Sequence, residues 1–333
     1  MAKGSQMLLL LATLLGAPGV LCGLHYGHQL ASPTSWFNVW FSTPGEGQAG
    51  SAGPLGPPRR QRPGSPSRQI APSFGYSAFN GPDTWTLEWP ECAGGRQSPI
   101  DLRSDDMLRL RTTSPLRWDG YWRPVNMSMT NTGHTVEVSG DWGSAGTPTL
   151  SGGPLEGEYV FSDLHFHWGP DDAVGSEHTV HNVSFPMEMH AVHYKRDYGN
   201  KDNAREFDDG LVVVSYLFRR RNTANGALEP LLRAMHDVSG ARGLPPAPLR
   251  PQPFALSRLL REFEEDYVMY EGSLTTPPCR EAVTWLISAR PLPVSAQQLE
   301  EFRSLIGEDG EVDRNFRPVQ PSNGRSVYYV DVE

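Results

Sequence analysis

Residues 161–170 read FSDLHFHWGP, with His165 and His167 one residue apart inside an aromatic run. Side chains along a strand alternate faces with period two. A strand here puts Asp163, His165 and His167 on one face and Val160, Leu164, Phe166 and Trp168 on the other. Two imidazoles side by side on a rigid strand suit a metal ion. They also suit a pair of core histidines satisfied by backbone carbonyls, and the spacing alone leaves both readings open.

Working outward, the segments HTVEV, YVFSDLHFHW, FPMEMHAVHY, LVVVSYLF and AVTWLIS alternate or are rich in β-branched and aromatic residues. Clusters of Gly, Pro, Asp and Asn separate them, which predicts a mainly β, mostly antiparallel protein. Helical signals are few. In SAQQLEEFRSLIG, Ser295 and Gln298 are placed as a capping box, with Gly307 as the stop. ALEPLLRAMHD predicts a second helix. The chain has no internal repeat.

The segment FPMEMHAVHYK places Glu188, His190 and Val192 on one strand face and Met187, Met189, Ala191 and His193 on the other. If this strand lies beside the first, His190 meets His165 and His167. Three neutral imidazoles with a fourth position open describe a catalytic zinc site; a structural one takes four protein ligands, usually with cysteine. His178, His181 and His193 compete as ligands, with His181 reading as a surface histidine and His193 as a core one.

The whole chain sets the bounds. It has 333 residues, 38% hydrophobic and 20% charged, within reach of a soluble globular protein. A net charge of -9 argues against a nucleic-acid partner, because phosphate binding needs a basic surface. Residues 1–22 have the form of a secretory signal peptide: Lys3, an apolar run from Met7, and a cut before Gly23. Gly16, Pro18 and Gly19 interrupt that run and disfavour a spanning helix, and no later stretch is long and apolar enough to span a bilayer. Removing the leader, and Cys22 with it, leaves an even pair, Cys92 and Cys279, able to form one disulfide in an oxidising compartment. Asn126 and Asn182 head glycosylation sequons. Residues 23–72 form an arm whose Pro/Gly/Ser-rich part predicts disorder. Arg59 and Arg62 have the spacing of a processing site, but Pro63 disfavours cleavage there. The arm's partner is not legible. The globular domain is expected over 73–333.

The chain is identified as resembling the α-carbonic anhydrases, from about Phe74 to Pro321. The motifs that carry the resemblance are QSPIDL (97–102), NTGHTV (131–136), HFHWG (165–169), GSEHTV (175–180), EMHAVH (188–193), GSLTTPPC (272–279) and NFRPVQP (315–321). The resemblance implies a large, mostly antiparallel twisted sheet with short peripheral helices. It implies a Zn2+ ion on His165, His167 and His190, reversible hydration of carbon dioxide to bicarbonate by zinc-hydroxide attack, and inhibition by sulfonamides. It assigns Thr275 to the gatekeeper position, bonded to Glu177, and Thr276 to the polar side of the bicarbonate site. Val192, Val213, Leu274 and Val283 match the apolar wall where carbon dioxide rests, His134 the proton shuttle, and Tyr76 the residue that orders the intervening water. Glu188 matches the carboxylate that orients His190, Cys92 and Cys279 the disulfide of secreted members, and Pro99 and Pro278 would follow cis peptide bonds.

There are departures. Asp163 stands where relatives usually carry an amide, so a full charge behind His165 is expected to raise the pKa of metal-bound water. Phe74 replaces a usual tryptophan, and the arm has no counterpart in compact members. The rival function is a secreted binding or scaffolding module of the same family with little activity, but such relatives usually lack a zinc histidine. A zinc peptidase would need a motif such as HExxH, which the chain lacks.

Overall fold

The computed structural model describes residues 74–331 except 240–243, 264–265 and 308–309, so the leader (1–22) and the arm (23–72) lie outside the described residues. In chain order the principal strands are β1 (Leu108–Arg111), β2 (Pro124–Asn131), β3 (Val136–Asp141), β4 (Tyr159–Trp168), β5 (Met187–Lys195), β6 (Leu211–Arg220), β7 (Tyr267–Gly272), β8 (Val283–Ser288) and β9 (Val327–Asp331). They lie side by side as β2-β3-β4-β5-β6-β8-β7-β9-β1 within one large sheet. Neighbours in this run are antiparallel except β6 with β8 and β9 with β1. The expected fold class is thus found. The helices are short: α1 (Trp85–Glu88), α2 (Lys201–Ala204), α3 (Glu229–Val238) and α4 (Ala296–Arg303).

The sheet forms because its central strands can be buried. The first eight residues of β6, LVVVSYLF, are all buried, as expected of a β-branched and aromatic strand covered on both faces. Leu164, Phe166 and Trp168 of β4 join Met187, Met189 and Ala191 of β5 in one apolar cluster. Each of the larger side chains contributes roughly 1.5–3 kcal/mol on burial. That face anchors the strands and leaves the opposite one to carry chemistry.

Alternation fails at one point. The β4–β5 register shifts between Phe161 and Asp163, a bulge of one residue. The extra residue reverses facing upstream, so Phe161 joins the cluster of Leu164 and Val160 does not. Downstream the expected parity holds. The α4 capping box is present: Ser295 Oγ accepts from Gln298 N, and Gln298 Oε1 accepts from Ser295 N, both at 3.2 Å. Gly307 is not the stop, because Ser304 N–H closes onto Glu300 O and Gly307 sits in a two-residue ribbon instead. ALEPLLRAMHD gives α3. Pro99 and Pro278 follow cis bonds, as do Pro251 and Pro253. Cys92 and Cys279 are disulfide-bonded.

Candidate metal centre

Register brings the three histidines together. His165 lies directly opposite His190 across β4 and β5, and His167 lies opposite Glu188. Directly opposed residues share a face with Cβ atoms about 5 Å apart, so alternation in each strand makes one imidazole cluster. One nitrogen from each of His165, His167 and His190 falls within a group whose atoms all lie within 4.8 Å of one another.

The outer nitrogens are each engaged. His167 Nδ1 donates to Asn315 O at 2.8 Å, His190 Nε2 meets Glu188 Oε1 at 2.7 Å, and His165 Nδ1 is 3.4 Å from Asp163 Oδ1. These partners fix which nitrogen faces inward: Nε2 of His165, Nε2 of His167 and Nδ1 of His190. His167 Nε2 is buried with no hydrogen-bond partner, an arrangement that costs free energy unless something binds there. Burial, with His190 and His165 alongside, pushes the His167 pKa well down. Burial also lowers that of His190 to about 4, despite Glu188. Both rings are therefore neutral, the form that binds a metal. The donor set fits a zinc ion.

Behind the histidines lies a buried polar layer. Glu188 is fully buried; Oε2 accepts from the N–H groups of Glu177 and His178, and Oε1 meets His178 Nδ1, His190 Nε2 and Ser215 Oγ. Burial alone would raise its pKa, but His178 and His190 hold it well below the carboxylate range. Glu177 goes the other way: burial and then Glu188 push it up, against Thr275 and Arg317. Glu177 Oε1 accepts from Arg317 N, and Arg317 reaches Gln97, Ser98 and Cys92 through its guanidinium. A cation held by the neighbouring histidines would draw Glu177 back towards ionisation.

The other expected residues fall as follows. Val213 faces Val192 across β5 and β6, Leu211 pairs with Val283, and Val192, Val213 and Val283 share a second apolar cluster with Leu274 packed against it. Thr275 is buried and Thr276 partly so, on the loop that Cys279 ties to Cys92. Tyr76 and His134 line one recess of about 320 Å³, and the His134 ring lies 4.3 Å from that of Phe74. His181 is partly exposed and bonds Ser104, while His193 is buried against Tyr121. His178 belongs to the polar layer, through Glu188 and Tyr270. Asn126 and Asn182 are exposed.

The sequence reading weighed His178 only as a competing ligand and gave no role to Ser215, Asn315, Arg317 or Lys201. Asn315 and Arg317 lie in the quoted NFRPVQP motif, which was the available signal. Lys201 carried none; its Nζ is 2.6 Å from Asp163 Oδ2. Burial would raise the Asp163 pKa, but His165 and Lys201 hold it below the ordinary range.

Three imidazole nitrogens converging with a fourth direction open, on a twisted sheet, define a catalytic zinc centre, a donor set for which carbonic anhydrase is itself the standard example. A family model of eukaryotic-type carbonic anhydrases matches residues 80–331. Carbonic anhydrase 7 of Mus musculus is 38% identical over 263 residues, covering 76% of this chain and 96% of the relative. Carbonic anhydrase 7 of Homo sapiens is 38% identical over 265 residues, with the same coverage. The chain belongs to the eukaryotic-type, or α, carbonic anhydrase family, and with its histidine triad intact it is a zinc enzyme of reversible carbon dioxide hydration.

Proposed function

We propose that the individual residues of this enzyme act as follows. When bound, zinc supplies Lewis acidity at His165, His167 and His190. Thr275 donates its hydroxyl proton to Glu177, so its oxygen is left to accept from a group in the open position and to orient it; the influence of Thr275 on Glu177 supports this. Val192, Val213, Leu274 and Val283 offer a nonpolar substrate an apolar resting wall, supported by their shared cluster. Charged bicarbonate gains nothing from that wall, and Thr276 supplies the polar side. His134 carries protons to solvent, since imidazole titrates near neutral pH, and Tyr76 in the same recess orders the path.

Secretion is part of the proposal. The Cys92–Cys279 bond fits an oxidising compartment, and the exposed sequons at Asn126 and Asn182 are open to glycosylation. Among the described residues no helix is long and apolar enough to cross a membrane.

The observation that carries the mechanism is the convergence of three inner nitrogens whose outer nitrogens are all engaged. Stopped-flow hydration of carbon dioxide, with zinc measured on the same sample, tests it. About one zinc per chain and activity blocked by an aromatic sulfonamide are expected. Zinc-loaded protein without sulfonamide-sensitive hydration would instead favour a binding module.

A further inference from the structure

The three outer contacts of the metal histidines are unequal. Those of His167 and His190 are 2.8 and 2.7 Å long and involve side chains at most 2% exposed. That of His165 is 3.4 Å, and its side chain is 21% exposed. His165 is thus the least firmly held of the three, and its outer partner decides how well it stays in place.

That partner is Asp163, whose side chain is only 4% exposed. The bulge before it and the register opposite Val192 aim it at the metal face. A carboxylate so placed is unstable unless it is compensated. Its second oxygen meets Lys201 Nζ at 2.6 Å. Lys201 begins α2, which packs against β5, and Asn200 fixes that helix start by accepting from Asn203 N. Glu137, opposite His165 on β3, is a further carboxylate within electrostatic reach of Lys201. A cation is therefore placed by its own short helix within reach of two acids, 38 residues along the chain from the aspartate it meets.

We propose that Lys201 is a positioning residue of the zinc centre: through Asp163 it holds the His165 ring in its ligating orientation and so governs how long the metal is retained. Without Lys201 the buried carboxylate turns towards solvent and His165 loses its outer partner. Metal loss then begins at the most exposed of the three ligands. The proposal rests on the three-histidine zinc reading.

The test follows zinc release into excess chelator from the zinc-loaded full-length protein. Lys201→Met is expected to release zinc about tenfold faster, the lower end of the effect of losing an outer-shell partner, a range to which carbonic anhydrase itself contributed. Lys201→Arg, which keeps the cation, restores slow release. The cobalt-substituted Met variant has an altered visible spectrum and the Arg variant an unaltered one, which a general loss of stability would not produce. In an Asp163→Asn background, Lys201→Met adds nothing, because the two residues act as one unit. Equal release rates in wild type and Lys201→Met, or full additivity with Asp163→Asn, overturn the proposal. Wild-type protein that takes up no zinc would instead overturn the zinc reading.

Discussion

Glu188 and Asp163 both reach back to a metal-binding histidine, yet they are stabilised in opposite ways. Glu188 sits in the inner half of the site, fully buried, and collects five contacts from two backbone N–H groups, His178, His190 and Ser215. Asp163 sits in the outer half with one long contact to His165 and a lysine that is 41% exposed. Many converging buried donors satisfy the first charge, and a single cation open to solvent satisfies the second. Converging buried hydrogen bonds strengthen one another and are little affected by salt. A half-exposed ion pair is screened and contributes less. The inner half is therefore built for permanence, and the outer half is held by a weaker, screened contact.

The comparison breaks most visibly at Glu188. Glu188→Ala strips His178 and His190 of their shared partner and leaves Ser215 and two buried N–H groups unsatisfied. Zinc affinity is expected to fall up to about a hundredfold, the upper end of a range drawn partly from carbonic anhydrase itself. Stability falls by about 3–5 kcal/mol, as when one member of a buried charged network is removed. Metal titration and urea unfolding check this, and a loss no larger than that of Asp163→Ala would erase the distinction between the two halves.

The inner half also depends on a covalent clamp. Cys279 ends the loop that carries Thr275, and Gln97 Nε2 donates to its carbonyl. The bond to Cys92 spans 187 residues. By the chain-entropy account, reducing it should cost about 5 kcal/mol. Urea unfolding with and without reductant measures this, and coincident curves would count against it.

Much of this inner half was legible in the sequence. His165, His167 and His190 follow from alternation once two strands are neighbours, and both strands fall where β-branched and aromatic residues placed them. What alternation cannot show is a bulge, because an inserted residue leaves no mark on composition; Val160 was misassigned for that reason. Contacts distant in sequence were also hidden. Lys201 meets Asp163 only because α2 packs against β5, and His178 joins Glu188 only through a loop. Gly307 looked like a helix stop, but local N–H bonding ended α4 earlier, at Ser304.

His193 sharpens what a carboxylate does for a buried histidine. It is as buried as His178 and His190 but bonds Tyr121 and no acid. Burial lowers its pKa to about 4, against about 6.5 for an unfolded chain. Protonation thus favours the unfolded state, so this contribution is full above about pH 6.5 and is lost as pH falls towards 4. The most it can cost is about 3 kcal/mol over that window. Urea unfolding of zinc-free protein should depend less steeply on pH in His193→Gln, and an unchanged slope would show that His193 titrates normally.

At the outer rim the expected effect is smaller and purely kinetic. His134 stands beside Phe74 in the recess with Tyr76. His134→Ala should slow turnover about tenfold in weak buffer, a modest share of what a positioned proton carrier can supply. Zinc content should not change, and added imidazole should restore the rate. An unaffected rate in weak buffer would give the proton path to another group.

The smallest effect is expected at Asp163, where the sequence alone suggested a moderate one. A free carboxylate behind His165 would make that ring a stronger donor and move the pH–rate profile upward, so that Asp163→Gln would bring it back down by about half to one unit. The charge is not free. Lys201 Nζ, 2.6 Å from the second oxygen, offsets it, and the contact to His165 is long at 3.4 Å. The pair presents a dipole to the metal centre rather than a net charge, and a dipole's influence falls faster with distance. The midpoint for hydration in Asp163→Gln should therefore shift by less than about half a unit. A full-unit downward shift in Asp163→Gln with Lys201 intact would show that the ion pair does not mask the charge, and that the outer half tunes the chemistry as strongly as the inner half holds the metal.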